Sequence, residues 1–117
     1  MIRFEPNGAQ KELVEEILKE WIPYKKAILQ AHEERRTDTK NAMLISIELY
    51  GKLLSQVSTT SEFHAHELKE YEVLPLNGEE RYLFIIGKPE KYAAFCQLDE
   101  LFEETKKKIA RLRIKNQ

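Results

Sequence analysis

Three histidines, a single cysteine and several adjacent carboxylates are the residues of this 117-residue chain that could do chemistry. His64-x-His66 would put two imidazoles on one side of an extended segment, as some metal sites do. A structural zinc takes four ligands, however, and only Cys96 is available to join them. His32-Glu33-Glu34-Arg35-Arg36 lacks the second histidine of an HExxH helix. The histidines therefore read as exposed residues near helix ends, and no metal or cofactor is assigned. As a nucleophile, Cys96 would need a neighbouring base and an electropositive setting. It lies beside Phe95 and off the main apolar stripe, so it reads as a partly buried packing residue. Carboxylates are paired at Glu15-Glu16, Glu33-Glu34, Glu79-Glu80 and Glu103-Glu104. General acid–base work needs them in a cleft that perturbs their pKa values, and these fall on predicted solvent faces. There is no GxGxxG and no GxxxxGK[ST] loop to cradle phosphate. No catalytic residue is assigned.

The remaining charge feature is basic. Lys106, Lys107, Lys108, Arg111 and Arg113 crowd the end of the chain, where they could contact phosphates or an acidic partner. The same run also complements the negative end of a helix dipole and aids solubility, which is the simpler reading. No aromatics are interleaved for base stacking.

The elements that must position these groups follow from composition and period. Charged residues make up 33% and apolar residues 42%, a balance that suits helices with one buried stripe and a charged outer face. Net charge is −1, which does not advertise a nucleic-acid or membrane binder as a whole. Glycine and proline number four each, too few for many turns, so a few long helices are expected. One cysteine excludes an intramolecular disulfide framework. The first residues lack the apolar run of a signal peptide, and Tyr82–Ile86, the longest apolar run, is far too short to span a bilayer. A cytoplasmic protein is expected.

The first helix is predicted to start near Ala9, with Asn7 or Gly8 as its cap, and to end near Arg36. Leu13, Val14, Ile17, Leu18 and Trp21 share one side, and Tyr24, Ile28 and Ala31 continue it beyond Pro23. Pro23 predicts a kink or a split there. The second helix is placed from Lys40 to Ser58, after a turn and cap at Thr37-Asp38-Thr39. Its wide apolar arc makes it central. Residues Glu62–Tyr71 could form a short third helix. The stretch 71–86 has two readings. Asn77-Gly78 is either a hairpin turn, or Asn77 caps a helix with Glu80 completing a capping box. Pro75 and the run Glu79–Arg81 favour the helix. Gly87 would end it and Pro89 would open the last helix, which runs to Arg113. Phe95, Leu98, Leu101, Phe102, Ile109 and Leu112 form that helix's stripe.

One part of the chain resembles a known family. Leu76-Asn77-Gly78-Glu79-Glu80-Arg81-Tyr82-Leu83-Phe84-Ile85, then Lys88-Pro89-Glu90-Lys91-Tyr92, then Phe95-Cys96-Gln97-Leu98-Asp99-Glu100-Leu101-Phe102 are similar to the YpoC-like domain of Bacillus-type bacteria. The likeness is strongest over residues 73–109, weaker over Asn41–Leu54 and absent before about Gln30. It implies a small helical cytoplasmic bacterial protein and supplies no catalytic residue or activity.

The sequence thus predicts an all-α, single-domain bundle of four to five helices over residues 1–117. Its expected core is Leu13, Ile17, Trp21, Ile28, Ile47, Tyr50, Leu54, Leu83, Ile86, Phe95, Leu98 and Phe102. The expected function is a non-enzymatic protein-interaction or adaptor domain, with a protein partner or self-association. The alternative is a nucleic-acid-binding accessory protein that uses the five basic residues. A third class, an enzyme site assembled from distant residues, would need a deep pocket lined by polar groups.

Overall fold

A computed structural model describes residues 1–116. Four α-helices follow in order: α1 (Lys11–Glu33), α2 (Lys40–Gln56), α3 (Gly78–Gly87) and α4 (Tyr92–Lys115). A 3₁₀ helix, Ala65–Glu70, lies between α2 and α3, with non-helical backbone at Glu67. The expected all-α bundle is what the chain forms.

α1 buries Val14, Ile17, Trp21, Ile28 and Ala31, which recur at helical spacing. It is one continuous helix with Pro23 inside it, so of the two outcomes expected there, a kink or a split, the split does not occur. Pro23 lies on the exposed side, where the carbonyl it leaves without a donor can turn to water. The start is later than expected, because Glu5–Ala9 is a turn in which Gly8 N–H bonds Glu5 and Ala9 N–H bonds Pro6. Gly8 presses against the Gln56 backbone carbonyl, so this turn is fixed by packing against α2 rather than by helix capping. At the other end Arg36 N–H bonds Ala31 O at 2.8 Å and Arg35 N–H bonds His32 O at 3.0 Å. Arg35 is left-handed, with φ 57°. This is a Schellman closure, built here on arginine instead of glycine.

α2 is central. Met43, Ser46, Ile47, Leu49, Tyr50, Gly51, Leu53 and Leu54 are buried around most of its circumference. Gly51 is needed bare, because a Cβ there would sit 2.7 Å from the Phe63 ring. The short connection from α1 folds α2 back along it, while α3 packs chiefly on α4. The three long helices meet at Phe102 of α4. Trp21 stacks on it with centroids 4.6 Å apart, and Tyr50 meets it edge-on at 5.2 Å. The Tyr50 hydroxyl and Thr105 Oγ1, both buried, satisfy one another at 2.8 Å.

Residues 1–5 form an extended staple. Ile2 bridges Tyr71 and Phe4 bridges Ser58, so this segment ties the end of α2 to the chain leading into α3. Phe4 N–H also donates to Glu72 Oε1 at 2.8 Å, and the Phe4 ring is buried.

Between Tyr71 and Gly87 the chain turns and then becomes helical, which removes the hairpin reading. The capping box is also absent. Asn77 is left-handed, with φ 57°, and makes no side-chain cap bond. Gly78 N–H bonds Pro75 O, and Gly78 abuts the Leu74 side chain, so the tight turn sets the Asn77 backbone. Pro89 does not open α4. It is buried in the turn from Lys88 to Lys91, and α4 begins at Tyr92. Thr39 caps α2 by position only, since its hydroxyl donates to Glu90 O at 3.4 Å, linking two connections.

Nine of the twelve expected core residues are buried. Leu13, Leu83 and Ile86 are not: they are 38%, 55% and 43% exposed. Leu13 lies at the edge of a stripe centred on Val14 and Ile17. The other two are on the far side of α3.

Candidate functional site

α3 carries an exposed apolar surface that none of the titratable residues marks. Five successive residues, Tyr82 to Ile86, are apolar, so they cover every side of a helix at 100° per residue. Tyr82 and Ile85 turn inward with Gly78, and Tyr82 meets Phe63 edge-on at 6.0 Å. Leu83, Phe84 and Ile86 therefore point away from the core. Phe84 is 47% exposed. A helix apolar on both sides is ordinarily covered on both sides.

The helix is held firmly. Arg81 reaches from α3 to α4, donating from Nη1 and Nη2 to both Glu104 oxygens and from Nε to Gln97 Oε1 at 2.9 Å. It also donates from Nη1 to Leu76 O at 3.3 Å, and Glu100 lies 3.5 Å away. Its hydrogen bond from Arg81 holds the Glu104 carboxyl below the usual carboxylate range, and the same bond raises Arg81. This clamp fixes which side of α3 faces out. Only the register of α3 on α4 brings Arg81 opposite Glu104, so no local sequence signal could have found it.

The five basic residues separate into two groups. Lys108 Nζ donates to Leu74 O at 2.8 Å, and Arg113 Nε donates to Ala9 O at 2.6 Å. Both are half-buried and tie α4 to connecting segments. Burial and the neighbouring Arg111 pull the Lys108 ammonium below the usual lysine range. Lys106, Lys107 and Arg111 are exposed. Lys107 and Arg111 lie one turn apart and, with Lys108, Glu104, Pro75 and Leu76, line a cleft of about 380 Å³.

The residues weighed for catalysis are dispersed. His32 packs edge-on to Tyr92 at 5.3 Å, and its buried Nε2 has no hydrogen-bond partner among the described residues. It is thus half-buried rather than exposed. His64 is half-buried as well, its backbone N–H donating to the Tyr71 hydroxyl, and His66 is exposed in the 3₁₀ helix. No group of three or more potential metal ligands converges among the described residues. Cys96 is partly buried and packs on the core. Glu15, Glu16, Glu33, Glu34, Glu80 and Glu103 are exposed, Glu79 pairs with Lys69 at 3.3 Å, and Glu104 is taken by Arg81. A second apolar surface, between α1 and α2, is a shallow groove of about 530 Å³ lined by Pro23, Tyr24, Ile45 and Leu49. Glu20 and Lys52 pair at its rim at 3.8 Å. No helix among the described residues is long and apolar enough to cross a membrane.

The family model described as YpoC-like protein matches residues 11–117, nearly the whole chain and far more than the segment that carries the likeness in sequence. No curated protein and no solved structure matches it.

Proposed function

The chain belongs to the YpoC-like family, and for this member we propose a non-enzymatic protein-interaction domain that docks its partner on the outer face of α3. The observation that carries the reading is the exposure of Leu83, Phe84 and Ile86 on a helix clamped in place by Arg81. A preformed apolar face loses little conformational freedom on binding, and aromatic and branched side chains are the usual anchors of such contacts. Exposed charges stand at its two ends, Glu80 in the first turn of α3 and Lys88 just past its last residue, as suits a polar rim. The bacterial cytoplasm is the proposed setting, which the lone Cys96 suits.

Affinity capture with folded, tagged protein tests this, with the double variant Leu83→Glu/Phe84→Glu run in parallel. The expected result is a protein partner retained by the wild type, resistant to nuclease, and lost by the variant. Partners that bind both baits equally would remove α3 as the docking face.

A second reading rests on Lys106, Lys107 and Arg111, the three exposed cations of the basic run. It takes the protein for a nucleic-acid-binding accessory. Retention of labelled DNA or RNA that weakens with salt, and with neutral substitutions at all five basic positions, would favour it. Absence of retention at low salt would eliminate it.

A further inference from the structure

We infer that the occupant of the α3 face is a second copy of this chain, the two α3 helices running antiparallel about a two-fold axis between Leu83 and Phe84. The inference rests on the docking reading above and names the partner. Positions 80, 83, 84 and 87 recur at i, i+3, i+4 and i+7, so they form one row along the helix. All four are exposed. A two-fold axis at the middle of this row makes it self-complementary. It sets Leu83 of each copy against Phe84 of the other, and Glu80 against Gly87 and the adjoining Lys88.

Charge selects this orientation. Neither Glu80 nor Lys88 has an ion-pair partner among the described residues. Antiparallel pairing brings each Glu80 to a Lys88, whereas parallel pairing would bring Glu80 to Glu80. Gly87 agrees with it. Its φ is not positive, and a Cβ there would meet nothing within 4 Å. Neither the backbone nor internal packing calls for glycine at this position, and a bare Cα lets another helix come close. At ten residues α3 is about 15 Å long, so the pair buries less than the roughly 800 Å² per partner of a standard interface. The dimer is therefore reversible and concentration-dependent.

Sedimentation velocity of the full chain over a micromolar-to-millimolar series tests the pairing, with circular dichroism confirming that each variant is folded. The wild type should shift from monomer toward dimer. Glu80→Lys and Lys88→Glu should each weaken the dimer by roughly tenfold or more, because each places like charges together twice. Mixing the two single variants should restore it, since both cross-contacts then pair opposite charges. Gly87→Leu should weaken the dimer without changing the monomer fold. A wild type that stays monomeric throughout overturns the inference, as does a dimer indifferent to Glu80→Lys and to Leu83→Glu/Phe84→Glu. A monomeric wild type that still captures a different protein through Leu83 and Phe84 removes only the second copy and leaves the docking reading standing. Capture indifferent to α3 removes both.

Discussion

Arg81 and Tyr50 do at single-residue scale what no local propensity supplies: each satisfies a polar group on a helix distant in sequence. The Arg81–Glu104 pair is bidentate, with the arginine side chain 17% and the glutamate 44% exposed. A pair with one well-solvated partner contributes about 1 kcal/mol, below a fully buried pair. Its pH dependence follows from the lowered Glu104 carboxyl. In the unfolded chain that group titrates near about 4.3, so the stabilisation is complete above that pH and is lost as pH falls through the lower folded value. The difference in melting temperature between wild type and Glu104→Gln should be largest near neutrality and shrink below about pH 4. An unchanged difference down to pH 3 would falsify the pairing as its source. Tyr50→Phe should cost about 1–2 kcal/mol by leaving Thr105 Oγ1 buried without its partner. Adding Thr105→Val should return part of that loss, and strict additivity in denaturant melts would show that the two hydroxyls are not coupled.

At the scale of elements, glycine positions show how packing overrides composition. Three helical or turn glycines, Gly8, Gly51 and Gly78, have no room for a Cβ: they meet the Gln56 carbonyl, the Phe63 ring and the Leu74 side chain. At Gly87 the space is open. One substitution should therefore act in opposite directions. Gly87→Ala should stabilise the monomer by about 0.5–1 kcal/mol through helix propensity. Gly8→Ala should destabilise it by about 1–3 kcal/mol, because the obstacle is backbone and cannot rotate away. Thermal melts of both variants settle the contrast, and equal effects would mean that the Gly8 turn can shift away from α2. The same precedence of packing explains the missing capping box at Asn77 and the late start of α4. The first yields to the tight Pro75–Gly78 turn, and at the second Pro89 is buried in a turn before the helix.

In the whole molecule, the extended segment at residues 1–5 closes the bundle by spanning two connections that the long helices leave apart. Its anchor is the buried Phe4 ring, and backbone bonds run from Ile2 to Glu70 O and from Glu5 to Val57 O. Phe4→Ala should cost about 3–5 kcal/mol, as for a buried phenylalanine in a core. Hydrogen exchange should then speed up at Ile2, Thr59 and Glu72, whose amides depend on the staple, more than in the middle of α2. Uniform loss of protection would indicate that the segment cannot open apart from the rest. Only closure of the whole bundle leaves α3 with an inner and an outer apolar face, and that asymmetry is what the docking proposal uses.

Periodicity by itself determined the helical class, the central place of α2 and most of the buried stripe, because Ile17, Trp21, Ile28, Ile47, Tyr50, Leu54, Phe95, Leu98 and Phe102 recur at 3.6-residue spacing and burial follows amphipathicity. The motif at residues 76–102 also pointed to the right family, although the match extends over 11–117. Periodicity could not orient α3. Tyr82-Leu83-Phe84-Ile85-Ile86 is apolar around the whole helix, so the hydrophobic effect alone does not choose which side goes inward. The tertiary structure decided it through the register on α4 that brings Arg81 to Glu104, together with the fit of Gly78 against Leu74. That choice placed Leu83 and Ile86 outside, against expectation. Tertiary contacts likewise divided the basic run, since the carbonyls of Leu74 and Ala9 that engage Lys108 and Arg113 are brought near α4 only by folding.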